Sequence, residues 1–358
     1  MPSIGVGIVG AGYGARVILP CLSAVPGMRV LALCARHPEA ARARAAGFPV
    51  GRFPGSLDDL LGIEGLGLVC LAVPPALHLD MARKVLAAGK TLLCEKPLAL
   101  DSRQARAIVR AAGNGPRQHL VDHQLRFHPN NLKVKSLLDQ GAIGEVRFVE
   151  LSYIVNTRVD PGLAWDWWSD RAQGGGQLLA LGSHLVDLLR WWLGEVESVS
   201  GTLATFMGRR SDPVTGRLRA VTSDDFISAH LRFKGGPVAG VTTSSMAPDH
   251  PGLRVRISGT RGVLLMEGQD RLFLSGRRGG SRDVSQADDL AGKPVIGLNA
   301  WRTSLVRLGR SLVRSAREGS LREGATLVDG LRNQEVLDAI RASAAEGRAV
   351  VVPGGGPR

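Results

Sequence analysis

The chain has 358 residues, 44% of them apolar and 22% charged, with a formal net charge of +13. That length predicts two domains, and no run approaches the roughly 18 consecutive apolar residues of a membrane span. Seven of the 45 basic residues are lysines and the arginines run through the whole chain, so the charge reads as compositional bias, and neither a nucleic-acid nor a membrane partner is expected.

The opening "MPSIGVGIVG" enters strand-like sequence without a basic leader, which predicts no secretory signal and a cytoplasmic protein. "IGVGIVGAGYGARVILPCL" then reads as strand, glycine-rich turn and helix. Gly5, Gly7 and Gly10 fit a GxGxxG pattern but lie within the strand; the register that suits a turn is Gly10, Gly12 and Ala15, with Gly14 as an extra glycine and Tyr13 between. Gly10 permits the tight turn, Gly12 lets a pyrophosphate approach the backbone, and Ala15 is small enough for helix to pack on strand. A second strand, "MRVLALCAR", ends about 20 residues later, where an NAD enzyme offers Asp or Glu to the adenosine ribose. Ala35 and Arg36 stand there. A guanidinium pairs with a 2′-phosphate, so NADP(H) is expected in preference to NAD(H), with NAD(H) as the alternative cofactor.

The alternation continues through "LGLVCLAVPP", "ALHLDMARKVLAAG", "KTLLCEK", "DSRQARAIVRAAG" and "RQHLVDHQL". Such a βαβα pattern predicts an α/β Rossmann domain, a parallel sheet with helices on both faces that binds ligands at the carboxyl ends of its strands. Glu95 and Lys96 emerge at such an end. With so few lysines in the chain, Lys96 stands out. Cys21, Cys34, Cys70 and Cys94 have no CxxC spacing. They read as reduced, buried small hydrophobes, and no disulfide or metal site is expected.

Beyond residue 125, "EVRFVELSYIV", "ISAHLRFKGGPVAGVTTSS" and "LRVRISGTRGVLLMEG" read as strands joined by glycine-rich turns. "WDWWSDRAQGGG" places three tryptophans in four positions, suited to a flat apolar wall for a sugar ring or nicotinamide, or to the core. Residues 276–297 are polar and aperiodic, which predicts a mobile loop. In "WRTSLVRLGRSLVRSAREG", Arg307, Arg310, Arg314 and Arg317 share one helical face and Leu305, Leu308 and Leu312 another, predicting an amphipathic helix with a solvated basic face. A further helix is expected over about 326–345, and "PGGGPR" reads as a frayed tail.

Taken together, "GAGYGA", "LLCEKPLAL", Arg126 to Glu150, "GGGQLLALGSHLVDLLRWWLG" and "DGLRNQEVLDAIRASAAEGRAVVV" resemble the Gfo/Idh/MocA family of NAD(P)-dependent oxidoreductases over nearly the whole chain. The resemblance implies a Rossmann domain over 1–125 and an α+β domain over 126–358. The second would carry a large, mostly antiparallel open sheet that binds substrate and joins subunits into a homo-oligomer, a dimer or tetramer; the helical segment 320–346 would pack back on the first. It implies that Lys96, in the EKP element, polarises the substrate oxygen, and that a DxxxH pair supplies an acid and a base. His184 matches the histidine, but Ala180 stands in the aspartate's place. Tyrosine cannot replace that acid as it does in some relatives, the two tyrosines being Tyr13 and Tyr153. Asp187 could reach His184, or hold structure as the family aspartate at that place does. Lys96 and His184 are therefore expected to suffice as the acid–base pair. The resemblance also places Pro74, His78 and Glu95 with Gly10, Gly12, Tyr13, Gly14, Ala15, Arg36 and Lys96 around the cofactor, and His123, Arg126, Trp167 and Asp187 towards a small-molecule substrate. Trp168 occupies the arginine's place in the family's Trp-Arg pair.

The expected activity is NADP(H)-dependent hydride transfer to or from a sugar, cyclitol or similar cyclic polyhydroxylated or carbonyl compound. Because the general base is weakened, reduction of a ketone or imine fits as well as oxidation. The alternatives are a dinucleotide-binding sensor or scaffold without chemistry, and a hydrolase or lyase that recycles a tightly held cofactor.

Overall fold

The computed structural model describes residues 3–115, 118–277, 279–292, 300–319 and 323–353. Packing divides the chain into two units, Met1–His128 with Asp288–Leu331, and Pro129–Ala287 with Arg332–Arg358.

In the first unit the apolar runs become parallel strands β1 (Ile4–Val9), β2 (Met28–Cys34), β3 (Leu66–Leu71), β4 (Thr91–Cys94) and β5 (Leu120–Val121). They lie in the order β5-β4-β3-β1-β2, with the antiparallel pair Ala325–Thr326 added beyond β5. The strands are apolar almost throughout because both faces are covered. One face carries Ile18, Leu19 and Leu22 from α1 (Leu19–Ser23) and the turn before it, with Leu305, Leu308 and Leu312 from the helix Ala300–Glu318. The flanking α2 spans Pro38–Arg44. The other face carries α3 (Leu57–Leu61), α4 (His78–Ala87) and α5 (Ser102–Ala112) through Leu60, Val85 and Ile108. β1 connects to β2 on one side and pairs with β3 on the other. Strand order therefore reverses between β1 and β3, which opens a crevice above their carboxyl ends.

The expected amphipathic helix is present over Ala300–Glu318, and Arg310, Arg314 and Arg317 are exposed. Arg307 departs from a solvated face: its guanidinium lies 2.7 Å from Asp288 Oδ1 and also pairs with Asp289. Those acids come from the stretch 276–297, where no period announced them. That stretch is not a structureless loop in its described part. Ser281–Asp283 forms a strand, Ser285 Oγ accepts the Leu272 N–H at 2.8 Å, and Asp288 accepts the Thr303 hydroxyl at 2.5 Å. Short polar side chains here satisfy neighbouring groups one by one, which leaves no repeat to read. Residues 293–297, and the tail from residue 354, lie outside the described residues.

The second unit is built on a nine-stranded sheet. It contains β6 (Val146–Ile154), β7 (Val196–Ala204), β10 (Phe226–Phe233), β11 (Val238–Ser244), β12 (Gly252–Gly259), β13 (Gly262–Glu267), β14 (Arg271–Gly276) and β15 (Ser281–Asp283), while β8 (Arg209–Ser211) and β9 (Leu218–Ala220) form a separate hairpin. The order is β15-β14-β13-β12-β6-β11-β10-β7, closed by Val350–Val351, and the β6–β11 pair alone is parallel. Burial alternates along β10 and β12, the signature of a sheet packed on one face and open on the other. Helices α6 (Pro129–Asp139) and α7 (Ser183–Leu193) also belong to this unit.

The last helix runs Leu327–Glu346, close to the expected 326–345. A reciprocal cap starts it: the Thr326 N–H donates to Asp329 Oδ2 at 2.8 Å and the Asp329 N–H to Thr326 Oγ1 at 3.1 Å. Its first turn belongs to the first unit and the rest to the second. All four cysteines are free and buried. Among the described residues no helix is long and apolar enough to cross a membrane.

Candidate active site

The glycine turn follows β1 as its spacing predicts. Gly10 has φ +113°, and a Cβ there would lie 2.1 Å from the Ala72 carbonyl oxygen, so neither another backbone shape nor a side chain fits. Gly12 is the opposite case, since a Cβ on it would meet nothing within 4 Å. Bare backbone thus faces open space beside a helix N-terminus, whose first N–H groups are available to an anion. The close packing expected of Ala15 is shared with Gly14, whose Cβ would come 2.9 Å from Ile8 Cγ2. The helix begins with one stretch of wide π winding over Gly14–Ile18 before α1, which apolar spacing does not reveal. From α2, Arg44 Nη1 donates to the Ala11 carbonyl at 3.0 Å, a second arginine at this turn that sequence reading missed. Arg36 is exposed just beyond β2, and Ala35, Arg36 and His37 offer no carboxylate there. The turn therefore fits a dinucleotide, with the helix end and the open Gly12 backbone to hold its pyrophosphate.

At the end of β4, Glu95 and Lys96 occupy the predicted place. Cys94 is in register with Val121 of β5, so Glu95 and Asp122 are the next residues of two adjacent strands. The backbone fixes both: the Glu95 N–H donates to Leu71 O at 2.9 Å and the Asp122 N–H to Cys94 O at 2.7 Å. Glu95 is 9% exposed and Asp122 fully buried, and the register of β4 and β5 sets them side by side. Glu95 Oε1 and both Asp122 oxygens have no well-formed hydrogen bond among the described residues, while the Lys96 N–H reaches Glu95 Oε2 at 3.3 Å. Burial pushes the Glu95 carboxyl up and that of Asp122 far up, the latter aided by the charge of Glu95; burial pulls the Lys96 ammonium down, and the two acids oppose that pull. Two unit charges roughly 4 Å apart repel by about 4 kcal/mol at an effective dielectric constant of 20. Asp122 is thus a further residue of this site, and the sequence did carry a signal for it: "HLVD" repeats the acid-after-strand pattern of "TLLCE".

His78 opens α4 with no exposed surface. Its Nδ1 lies 3.0 Å from Pro97 O and 3.3 Å from Leu98 O, and its Nε2 lies 2.9 Å from Val73 O. Burial lowers its pKa, partly offset by these carbonyls. The ring clasps the turn after β3 to the loop carrying Lys96, so its influence on a ligand runs through that loop. Pro74 is half-buried and precedes the short helical turn Pro75–Leu77 within the clasped segment. Tyr13 accepts a bond from Gln124 Nε2 at 3.2 Å, and burial, then Glu95 and Asp122, raise its pKa well above the usual phenol range. His123 is buried at the start of the helical turn Gln124–Phe127. Arg126, expected towards substrate, is 7% exposed and reaches Gly324 O and Asp329 Oδ1, each at 3.3 Å. Those bonds tie the helical turn after β5 to the segment that enters the last helix.

In the second unit, His184 (2% exposed) and Asp187 (1% exposed) lie in α7. The segment before it, Leu178–Gly182, is wound as a π-helix that contains Ala180. That winding bonds each residue to the fifth along, so a four-residue spacing does not stack side chains there as it would in an α-helix. Asp224 anchors the segment, accepting the Leu178 N–H at 2.6 Å, and a Cβ on Gly176 would sit 2.7 Å from its Oδ1. Burial raises the Asp224 pKa to about 6 against the opposing pull of that bond. The tryptophans do not form a common wall. Trp165 is buried, donates to Ala220 O at 3.0 Å and is covered by Arg219, while Arg158 lies over the Trp168 ring. Trp167 alone of the three is substantially exposed, at 40%.

Residues 4–123 match the oxidoreductase family model described as an NAD-binding Rossmann fold, and residues 131–265 match the Gfo/Idh/MocA C-terminal domain. The chain is also 31% identical to glucose-fructose oxidoreductase domain-containing protein 2 of Xenopus laevis, across 95% of this chain and 91% of that protein. The chain belongs to the Gfo/Idh/MocA family. It is accordingly an NAD(P)-dependent oxidoreductase. Among solved structures, an oxidoreductase domain protein from Kribbella flavida is 28% identical, with a TM-score of 0.89 over 99% of this chain and 100% of that one. Levoglucosan dehydrogenase in complex with NADH and levoglucosan shares the Gfo/Idh/MocA fold at 24% identity, with a TM-score of 0.89 over 98% of this chain and 99% of that one.

Proposed function

We propose that this protein transfers hydride between NADP(H) and a sugar, cyclitol or similar cyclic hydroxy or carbonyl compound, with Lys96 and His184 carrying the acid–base chemistry. The observation that carries the reading is the grouping, along one edge of the parallel sheet, of the open glycine turn and a lysine at the end of β4. Support for the substrate class comes from the name of one similar structure, levoglucosan dehydrogenase with its bound levoglucosan. Support for NADP(H) comes from Arg36 in place of an acid beyond β2, since an arginine pairs with the 2′-phosphate and a carboxylate would repel it.

The bound nicotinamide would supply or accept the hydride at the carboxyl edge of the sheet. Gly12 and the helix N-terminus would hold the pyrophosphate, and Arg36 the adenosine end. Burial disfavours the Lys96 ammonium while Glu95 and Asp122 favour it, which suits a group that must both give and regain a proton. Lys96 would donate to the substrate oxygen in reduction and polarise the hydroxyl in oxidation. His184 would act as the second proton-handling group, with Trp167 as an apolar surface for a ring.

The test is a fluorescence titration of the purified protein with NADPH and with NADH, followed by a panel of keto-sugars and cyclic ketones. The reading expects tighter NADPH binding and loss of reduced-cofactor fluorescence with at least one member of the panel. Equal or tighter NADH binding would remove the cofactor preference, and tight binding with no turnover would favour a sensor.

A further inference from the structure

We propose that Glu95 and Asp122 hold one proton between them and act as positioning residues for Lys96, keeping its nitrogen supplied with a proton in a chain that has Ala180 where its family offers a carboxylate. The inference rests on the reading of Lys96 as the reacting acid for its catalytic half; the shared proton stands on the register, burial and lack of other partners of the two carboxyls.

That geometry leaves little choice. The two carboxyls follow adjacent parallel strands, and backbone bonds, Glu95 N–H to Leu71 O at 2.9 Å and Asp122 N–H to Cys94 O at 2.7 Å, fix the chain at both residues. Three of their four oxygens are buried without a well-formed hydrogen bond among the described residues, with the Gln124 N–H near Asp122 as a weak donor, and the in-register ends of β4 and β5 bring the two side chains beside each other. Two buried acceptors side by side satisfy each other only with a hydrogen between them, and buried polar groups are hydrogen-bonded with few exceptions. Like charges sharing a buried site cannot both ionise readily, so one carboxyl keeps its proton where an isolated acid would lose it. The groups facing the pair are Tyr13 from the glycine-turn helix, Cys21 from α1, Cys70 from β3, Cys94 from β4 and Lys96. Burial raises the pKa of the phenol and of each thiol, that of Cys21 to about 12, so they stay neutral at physiological pH. The cation offsetting the pair is Lys96, which favours its ionised form.

Once Lys96 has given a proton to a substrate oxygen, its neutral nitrogen takes the shared hydrogen: an N–H bond forms as the carboxyl O–H breaks. An ammonium is restored beside two carboxylates, and solvent returns one proton to the pair. In the oxidative direction the same transfers run backwards.

The test is infrared difference spectroscopy of the full-length protein without cofactor, stepped from about pH 5 to about pH 9, around and above the ordinary carboxyl range. A protonated-carboxyl band surviving at neutral pH is expected. Asp122→Asn removes the like charge and supplies an N–H, so the band should shift to lower pH; Glu95→Gln should alter it too. Lys96→Met removes the offsetting cation, so the band should persist to higher pH. Absence of the band at neutral pH in the wild type, or a band insensitive to Glu95→Gln and Asp122→Asn, overturns the shared proton. No response to Lys96→Met overturns the pair's link to the lysine. The kcat pH profile of Asp122→Asn should be displaced from that of the wild type, which a merely structural acid would leave in place. If the band behaves as stated while Lys96→Met retains turnover, the pair stands and the assignment of Lys96 as reacting acid falls.

Discussion

His78 Nδ1 lies 3.0 Å from the carbonyl oxygen of Pro97, the residue after Lys96. The other ring nitrogen lies 2.9 Å from Val73 O, so one fully buried imidazole binds the turn after β3 to the loop after β4. His78→Phe keeps the volume but leaves the carbonyl served by the ring N–H without its donor. It should cost about 2 kcal/mol of stability and lower kcat more than it weakens NADPH binding. Denaturant unfolding and a cofactor titration check this; an unchanged midpoint would mean that the clasp carries no load.

The two glycines of the turn should separate folding from binding. Gly10→Ala forces a Cβ against the Ala72 carbonyl at a φ of +113° and should destabilise the fold by about 3 kcal/mol or more. Gly12→Ala adds a methyl to open space. Its melting temperature should stay near the wild type while dinucleotide affinity falls roughly tenfold, about 1.4 kcal/mol. Unaltered affinity in Gly12→Ala would move the pyrophosphate elsewhere.

Arg36→Glu should reverse the cofactor preference. Losing a charge-assisted pair to a phosphate costs roughly 1.5–3 kcal/mol, so NADPH affinity should drop by about tenfold or more, with NADH affinity unchanged or improved. Parallel titrations read the ratio directly. A variant that weakens for both cofactors equally would show that Arg36 does not distinguish them.

Asp224 offers a pH signature in the second unit. Its folded pKa, raised to about 6 by burial, exceeds that of an unfolded aspartate. The protonated form therefore favours the fold, and this contribution is lost as pH rises from about 4 through about 6. Asp224→Asn removes the titration. Variant minus wild-type stability should accordingly climb across that window, by up to about 2–3 kcal/mol, and level off above it. A difference that is flat with pH would contradict the assigned burial of the charge.

Much of the first unit was legible because burial on both faces of a parallel sheet leaves apolar runs with glycines at their ends. Gly10, Gly12 and Lys96 stand where that logic puts them. What escaped is what periodicity cannot express. Arg126 pairs with Asp329, about 200 positions away, a partner that no local pattern announces. Ala180 and His184 looked like neighbours on one helical turn, but the π winding over Leu178–Gly182 changes the angle between them. The tryptophans of "WDWW" looked alike in sequence, yet Arg219 and Arg158 cover two of them and leave Trp167 exposed. Asp122 was overlooked because its significance lies in a carboxyl on the next strand.

The most direct measurement is single-turnover oxidation of bound NADPH by whichever ketone the wild type accepts, in the wild type and in Lys96→Met. The account predicts a rate at least about 100-fold lower in the variant, the usual weight of a positioned general acid, with NADPH affinity preserved. An equal rate in both proteins would contradict it.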